Sequence, residues 1–378
     1  MIFKNAYVLT DRFTFEKCDI ETDGQNIVNV GNCPSEGIDC TGKYIVPGLC
    51  DNHTHGCVGC DSSEAFSVDV IDRMSRFYAE NGITTFLPTV TTASADNTLK
   101  SIETIVKALK DGVTGSNIGG IHMEGPYFGE KFKGAQNPAY LRNPDINEFM
   151  KFYKASGNSV RIISVAPELF GAPEFISEAS KICTVSMGHT DADEEQARTA
   201  IDCGVSCMTH TFNAMRPLHH RNPGAVGIAL DSGIYCEFIC DGFHINKTVI
   251  RIMYKLLGDD RMVFISDSVR AAGMPDGEYE FSERPIIVCD GKVRFPDGTI
   301  AGSSATLFEC VKNAISFGIP AESAFKMASA TPAKAAGIYE VCGSITAGKR
   351  ADLLVLDENF DIEKVMIRGR FFSKKVVD

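Results

Sequence analysis

Short apolar runs alternate with segments of helical periodicity through the middle of the chain. Eight runs, at 49–53, 83–88, 118–123, 160–165, 182–187, 205–208, 235–239 and 263–265, read as strands buried on both faces. Patterns of helical spacing stand between them. Leu99, Ile102, Ile105, Val106 and Leu109 fall on one face of a helix predicted over 96–109, and further helices are predicted over 192–203 and 246–257. The two ends of the chain have a different texture. Residues 1 to 48 read as short strands and turns, with a turn at Asp23-Gly24, and the same pattern returns after Gly343-Ser344-Ile345. Eight strand–helix units predict an α/β chain: a (β/α)8 TIM-like barrel over 49–341, with a small β-sandwich domain formed by both termini, 1–48 and 342–378. An open doubly wound sheet is the alternative for the middle. It would not place ligands at the ends of so many separate strands, whereas a barrel gathers them at one rim.

Composition narrows the function without naming it. A net charge of −12 on 378 residues argues against binding nucleic acid or an anionic membrane through bulk electrostatics. An anionic ligand must therefore be held by a few local cations. No apolar run reaches the ~18 residues of a membrane span, and Met1-Ile2-Phe3-Lys4-Asn5-Ala6-Tyr7 lacks the apolar core of a signal peptide, so a cytoplasmic protein is expected. Many of the 14 cysteines, such as Cys183, Cys207, Cys236 and Cys240, sit in apolar runs, where a free thiol behaves as a small hydrophobe. Cys57-Val58-Gly59-Cys60 has no second pair to complete a structural zinc site.

The chemistry collects just after the predicted strands. Asp51-Asn52-His53-Thr54-His55-Gly56 ends the first, and alternation along a strand points His53 and His55 the same way, about 6–7 Å apart, able to share one cation. Glu124 ends the third strand before Gly125-Pro126, where a carboxylate can ligate one metal or bridge two. His122, one strand step away, reads as packed behind the site. His189 follows the fifth strand, His210 the sixth, and Asp267 the eighth. Each alone is an ordinary polar residue. Together, in this strand order, they are hard to explain as packing, and Asp267 is the natural general base.

These motifs resemble the amidohydrolase superfamily and, within it, the N-acetylglucosamine-6-phosphate deacetylases. The likeness runs essentially end to end, through His122-Met123-Glu124-Gly125-Pro126, Met187-Gly188-His189-Thr190-Asp191, His210-Thr211-Phe212-Asn213-Ala214-Met215, His219-His220-Arg221-Asn222-Pro223-Gly224 and Asp241-Gly242-Phe243-His244. The resemblance implies that Glu124, His189 and His210 bind the principal metal, and that His53 and His55 bind a second one shared through Glu124. It implies Asp267 as the catalytic acid and base. Gln136, Ala135, Asn213, Ala214, Ala301, Gly302 and Ser303 would line the sugar, with Arg221 and His244 on its hydroxyls and phosphate. It also implies one or two divalent transition metals per chain, a phosphorylated amino sugar as substrate, and a homodimer in which Arg221 serves its own or a neighbouring site. Imidazole and carboxylate ligands suit zinc, iron, manganese or cobalt alike.

One departure stands out. Gln136 lies where these deacetylases usually carry a histidine that contacts substrate. Glutamine donates a neutral hydrogen bond and carries no charge. Either a second metal takes over polarisation of the carbonyl, or the pocket is shaped for another sugar, such as N-acetylgalactosamine 6-phosphate. An inactive scaffold is the remote alternative, and loss of ligands would be its mark.

Overall fold

A computed structural model describes residues 1–373 of the chain. The eight apolar runs form eight parallel strands: β1 Leu49–Thr54, β2 Ile83–Thr91, β3 Ile121–Glu124, β4 Val160–Val165, β5 Thr184–Met187, β6 Val205–Met208, β7 Tyr235–Ile239 and β8 Met262–Ile265. Each pairs with the next in parallel from β1 to β8. The ring closes just beyond β8. Asp267 N–H donates to His53 O at 3.0 Å, and His55 N–H donates to Ser268 O at 2.8 Å. The fold is thus a (β/α)8 barrel, as the sequence pattern predicts.

Boundaries differ most in two places, for local reasons. The run expected over 118–123 is interrupted by Gly119-Gly120, with Gly120 at φ 143; Asn117–Ile118 pairs separately with β2, and β3 starts only at Ile121. β2 runs on to Thr91, beyond the predicted 88, because Thr89, Val90 and Thr91 pair with His122, Met123 and Glu124.

A helix follows each strand, and the sequence marks the ends of several. Ser94 caps Ala95–Asp111 through the Asn97 N–H, and Gly112 at φ 86 ends it. Asp193 with Gln196, and Thr306 with Glu309, form reciprocal capping boxes for Glu194–Cys203 and Leu307–Ser316.

The strands at both chain ends join one sheet. Tyr44–Pro47 pairs with Ile2–Leu9 on one side and with Leu353–Leu356 on the other, so the N- and C-terminal strands meet edge to edge. A bulge between Phe3 and Ala6, with Asn5 at φ 63, shifts the alternation by one residue. It brings Phe3, Ala6 and Val8 together into a core with Ile20, Ile45, Leu353 and Met366. The C-terminal segment expected in this region extends to 378, and 374–378 lie outside the described residues.

Two elements have no counterpart in the sequence reading. A three-stranded antiparallel sheet, Gly277–Phe281, Arg284–Cys289 and Lys292–Arg294, is inserted between β8 and its helix. Cys57 and Cys60 face each other across a tight hairpin whose turn residues, Val58 and Gly59, have φ of 44 and 77. Both thiols are free and buried, and burial pushes both pKa values up, so they pack as small hydrophobes.

Candidate active site

The barrel places His53, His55, Glu124, His189, His210 and Asp267 around one point at the C-terminal ends of the strands. Three of these residues turn sharply off their strands. His189, His210 and Asp267 have φ of 49, 27 and 49, a left-handed region that costs a residue with a Cβ about 1–3 kcal/mol. The turn aims each side chain inward over the barrel mouth instead of along its wall.

Glu124 is the hub. Its Oε1 lies 2.9 Å from His210 Nε2, 3.0 Å from His189 Nε2 and 3.5 Å from His53 Nε2, while Oε2 lies 3.3 Å from His55 Nε2. Asp267 Oδ1 stands 3.5 Å from His53 Nε2 and 3.3 Å from His55 Nε2. His189 and His210 bring their Nε2 atoms within 3.1 Å of each other.

Hydrogen bonds behind the rings decide what those nitrogens present. His53 Nδ1 lies 2.9 Å from Glu237 Oε2, His55 Nδ1 3.2 Å from Thr89 O, and His189 Nδ1 3.0 Å from Phe132 O. All three partners are acceptors, so Nδ1 carries the proton and Nε2 of the neutral ring is a lone pair. Lone pairs then face carboxylate oxygens around Glu124 and Asp267. That arrangement is repulsive unless positive charge sits between them.

The pKa directions report the same field. Burial alone would lower His53 and His55, but the surrounding carboxylates outweigh it and hold both above the usual imidazole value, His55 at about 9. Burial alone would raise Asp267, and the imidazoles of His53, His55 and His210 hold it well below the usual carboxylate value.

The donor set fits a metal. Ligands ~2.0–2.1 Å from a tetrahedral ion stand ~3.3 Å apart, and the separations here run from 2.9 to 3.5 Å. Two overlapping triads share Glu124: His53 with His55, and His189 with His210. His53 Nε2 is buried without a hydrogen-bond partner, as a ligand atom facing an ion would be.

His122 stands behind the cluster. Burial and the neighbouring His53 drive its pKa well down, and its two ring nitrogens bond Asn52 O at 3.0 Å and Ser164 Oγ at 2.9 Å. Glu237 was not foreseen. It lies inside β7, fully buried, and receives both the His53 ring N–H and, at 3.2 Å, the His210 backbone N–H. A charged residue inside an apolar run was the available signal.

Above the cluster opens a cavity of ≈ 300 Å³. Of the residues expected around the sugar, Ala135, Gln136, Asn213, Ala214, His244 and Gly302 line it. His244 is oriented by Asp241, whose Oδ2 lies 2.7 Å from its Nδ1. Ala301 and Ser303 do not line the cavity. Ala301 packs into the core under the inserted sheet, and the Ser303 hydroxyl donates to Ser266 O at 2.5 Å. Arg221 is exposed on its loop, beside the His220 ring, and does not reach the cavity of its own chain. Phe281 and Ile300, from the inserted sheet and the strap after it, complete the wall. A larger cavity of ≈ 710 Å³, between the helix Val68–Glu80 and the terminal sheet, contains none of the cluster residues.

Comparison with known proteins agrees with this fold. The model of the amidohydrolase family matches residues 44–372. An N-acetylglucosamine-6-phosphate deacetylase of Vibrio furnissii is 38% identical over 330 residues, covering 86% of this chain and 82% of its own length. An N-acetylgalactosamine-6-phosphate deacetylase of Escherichia coli O157:H7 is 33% identical, covering 88% of each. Among solved structures, an aspartate-to-alanine variant of the N-acetyl-D-glucosamine-6-phosphate deacetylase of Mycobacterium smegmatis, in complex with N-acetyl-D-glucosamine 6-phosphate, superposes with a TM-score of 0.92 at 31% identity, covering 98% of each chain. With the barrel, the family match and these relatives in agreement over most of its length, the chain belongs to the amidohydrolase family.

Proposed function

We propose that this chain hydrolyses the acetamide of N-acetylglucosamine 6-phosphate, releasing glucosamine 6-phosphate and acetate. The observation that carries the reading is the Glu124 cluster: five ligand-type side chains around a point that demands positive charge, at the floor of a sugar-sized cavity. His189, His210 and Glu124 would hold one divalent cation, and His53 and His55 would hold a second, with Glu124 shared between the two. Such ions polarise a carbonyl and acidify water. Zinc, iron, manganese and cobalt all suit these donors.

The chain's own groups do the rest. Asp267 stays ionised beside the imidazoles, so it accepts a proton from the attacking water and returns it to the departing amine. Glu237 fixes the His53 tautomer, and the Thr89 carbonyl fixes that of His55. Asn213 is tied back by its amide to His210 O at 3.2 Å, leaving its loop to shape the sugar pocket beside Ala214. The reading includes a homodimer. Among the described residues the cavity lining has no lysine or arginine, and the exposed Arg221 would meet the phosphate in the partner's pocket.

The 33% identity to the galactosamine relative makes the C4 epimer the second reading. Acetate release from N-acetylglucosamine 6-phosphate and N-acetylgalactosamine 6-phosphate, measured side by side with metal content on the same sample, decides between them. A gluco preference is expected. A galacto preference would change the substrate and leave the chemistry, and no release from either would sink the proposal.

A further inference from the structure

Gln136 is 2% exposed, and all its polar contacts are specified. Its Oε1 accepts from Thr91 Oγ1 at 2.8 Å and from the Thr92 backbone N–H at 3.0 Å. Its Nε2 donates to Glu124 Oε2 at 2.6 Å. The Thr92 N–H settles which end of the amide is oxygen. A flipped amide would set N–H against N–H there and oxygen against carboxylate at Glu124. The loop beneath is tied as well, with Gln136 N–H donating to Lys133 O at 2.9 Å.

The two oxygens of Glu124 keep different company. Oε1 faces His189, His210 and, at 3.5 Å, His53, and Oε2 faces His55 and Gln136. The imidazole nitrogens donate to Glu124 only when protonated, whereas the Gln136 amide donates in every protonation state. A carboxylate turns about its terminal bond with little resistance, over a broad two-fold torsion. The amide removes that freedom. It takes up one lone pair of Oε2 and leaves the other directed towards His55.

We propose that Gln136 is a positioning residue of the cation site. Its amide locks the plane of Glu124, so that Oε1 is presented to His189, His210 and His53 and Oε2 to His55. It does not act on the acetamide carbonyl. The inference rests on the reading of Glu124 as a shared ligand and is independent of which sugar phosphate is cleaved. It also accounts for a glutamine here. Histidine would face Glu124 with a donor that depends on tautomer, while the amide's N–H is unconditional.

The test uses the full-length protein, stripped and reloaded with zinc. Zinc affinity is measured by competition with a chelator, and kcat and KM are measured at saturating zinc. Two variants remove the donor: Gln136→Ala, and Gln136→Met, which keeps the length of the side chain. Melting of the metal-free forms confirms that each is folded. The expected result is zinc affinity weakened about 10–100-fold in both, the size of loss typical when a group behind a metal ligand is removed. Most of kcat should return once zinc is saturating. Unchanged zinc affinity overturns the proposal. Unchanged affinity with kcat down about 10²–10³-fold would place the amide on the reacting carbonyl instead. A wild type that takes up no zinc would overturn both this inference and the cation reading beneath it. Failure of the sugar-phosphate assay with the zinc result intact would overturn only the substrate.

Discussion

Two of the regions in which the molecule buries carboxylates treat them oppositely. Where the terminal sheet meets the barrel, Asp352 is buried with a cation of its own: Arg350 Nε donates to its Oδ2, and the Arg368 backbone N–H adds a bond to its Oδ1 at 2.8 Å. Arg350 also reaches across to Thr85 on β2 at 2.6 Å, and Asn117 bonds both Asp352 and Arg368. At the barrel rim, Glu124, Asp267 and Glu237 are buried among imidazoles whose lone pairs face inward, with neither lysine nor arginine among the described residues of the cluster. The first region carries its counter-charge within the chain, although burial still holds Asp352 above the usual carboxylate value; the second has no lysine or arginine among the described residues and, on the proposed reading, would be completed by positive charge from outside. Burial of charge therefore does not by itself mark function. Several carboxylates buried together against converging imidazole lone pairs, without an internal cation, are the stronger sign.

Three measurements would break or sharpen that contrast. The largest effect belongs to the rim. Asp267→Asn keeps the shape and removes the proton acceptor, so kcat should fall by about 10²–10⁴-fold with bound metal and thermal stability retained. Near-normal turnover would remove Asp267 from the chemistry. At the junction, Arg350→Met leaves Asp352 buried without its partner. Unfolding by urea should show a loss of about 3 kcal/mol, the low end for breaking a buried pair because Arg350 is partly exposed, with turnover per folded molecule unchanged.

The smallest effect is a pH dependence. Burial would raise Asp19, but the Lys4 ammonium at 2.7 Å and the backbone N–H groups of Asn5 and Cys33 outweigh it and lower it from 3.8 to about 2. A carboxylate with a depressed folded pKa stabilises fully above its unfolded value, and the contribution is lost as pH falls through the folded one. The difference in stability between wild type and Asp19→Asn should be on the order of 1 kcal/mol at neutral pH, discounted for solvent screening. It should shrink between pH 3.8 and about 2. A difference that grows with acid would reverse the assignment.

The barrel was legible because strands buried on both faces appear as uninterrupted apolar runs; β4, β6 and β7 lie where the pattern puts them. The rim was legible because its side chains follow those runs at strand ends. Glu237 was not, since its partner His53 is 184 positions away and nothing local pairs them. The inserted sheet went unread although it carries a plain signal. Ile286 and Val288 are buried while Ile287 is exposed, and Asp290-Gly291 turns the chain at φ 51 and 67. Gln136 was legible as a departure but not as a role, because only the fold brings its amide to Glu124.

The hydrogen bond from Asp267 N–H to His53 O has a consequence for how the protein comes into being. It joins residues more than two hundred positions apart, and it is also the seam that closes the barrel. Contacts of such sequence separation form late, after the intervening chain has been ordered. The nascent chain therefore carries its first two histidines through much of its synthesis before the barrel can close beside them. On the proposed reading all five cation ligands precede β8, so closure of the ring adds no ligand, and the site gains its proton acceptor, Asp267, only then.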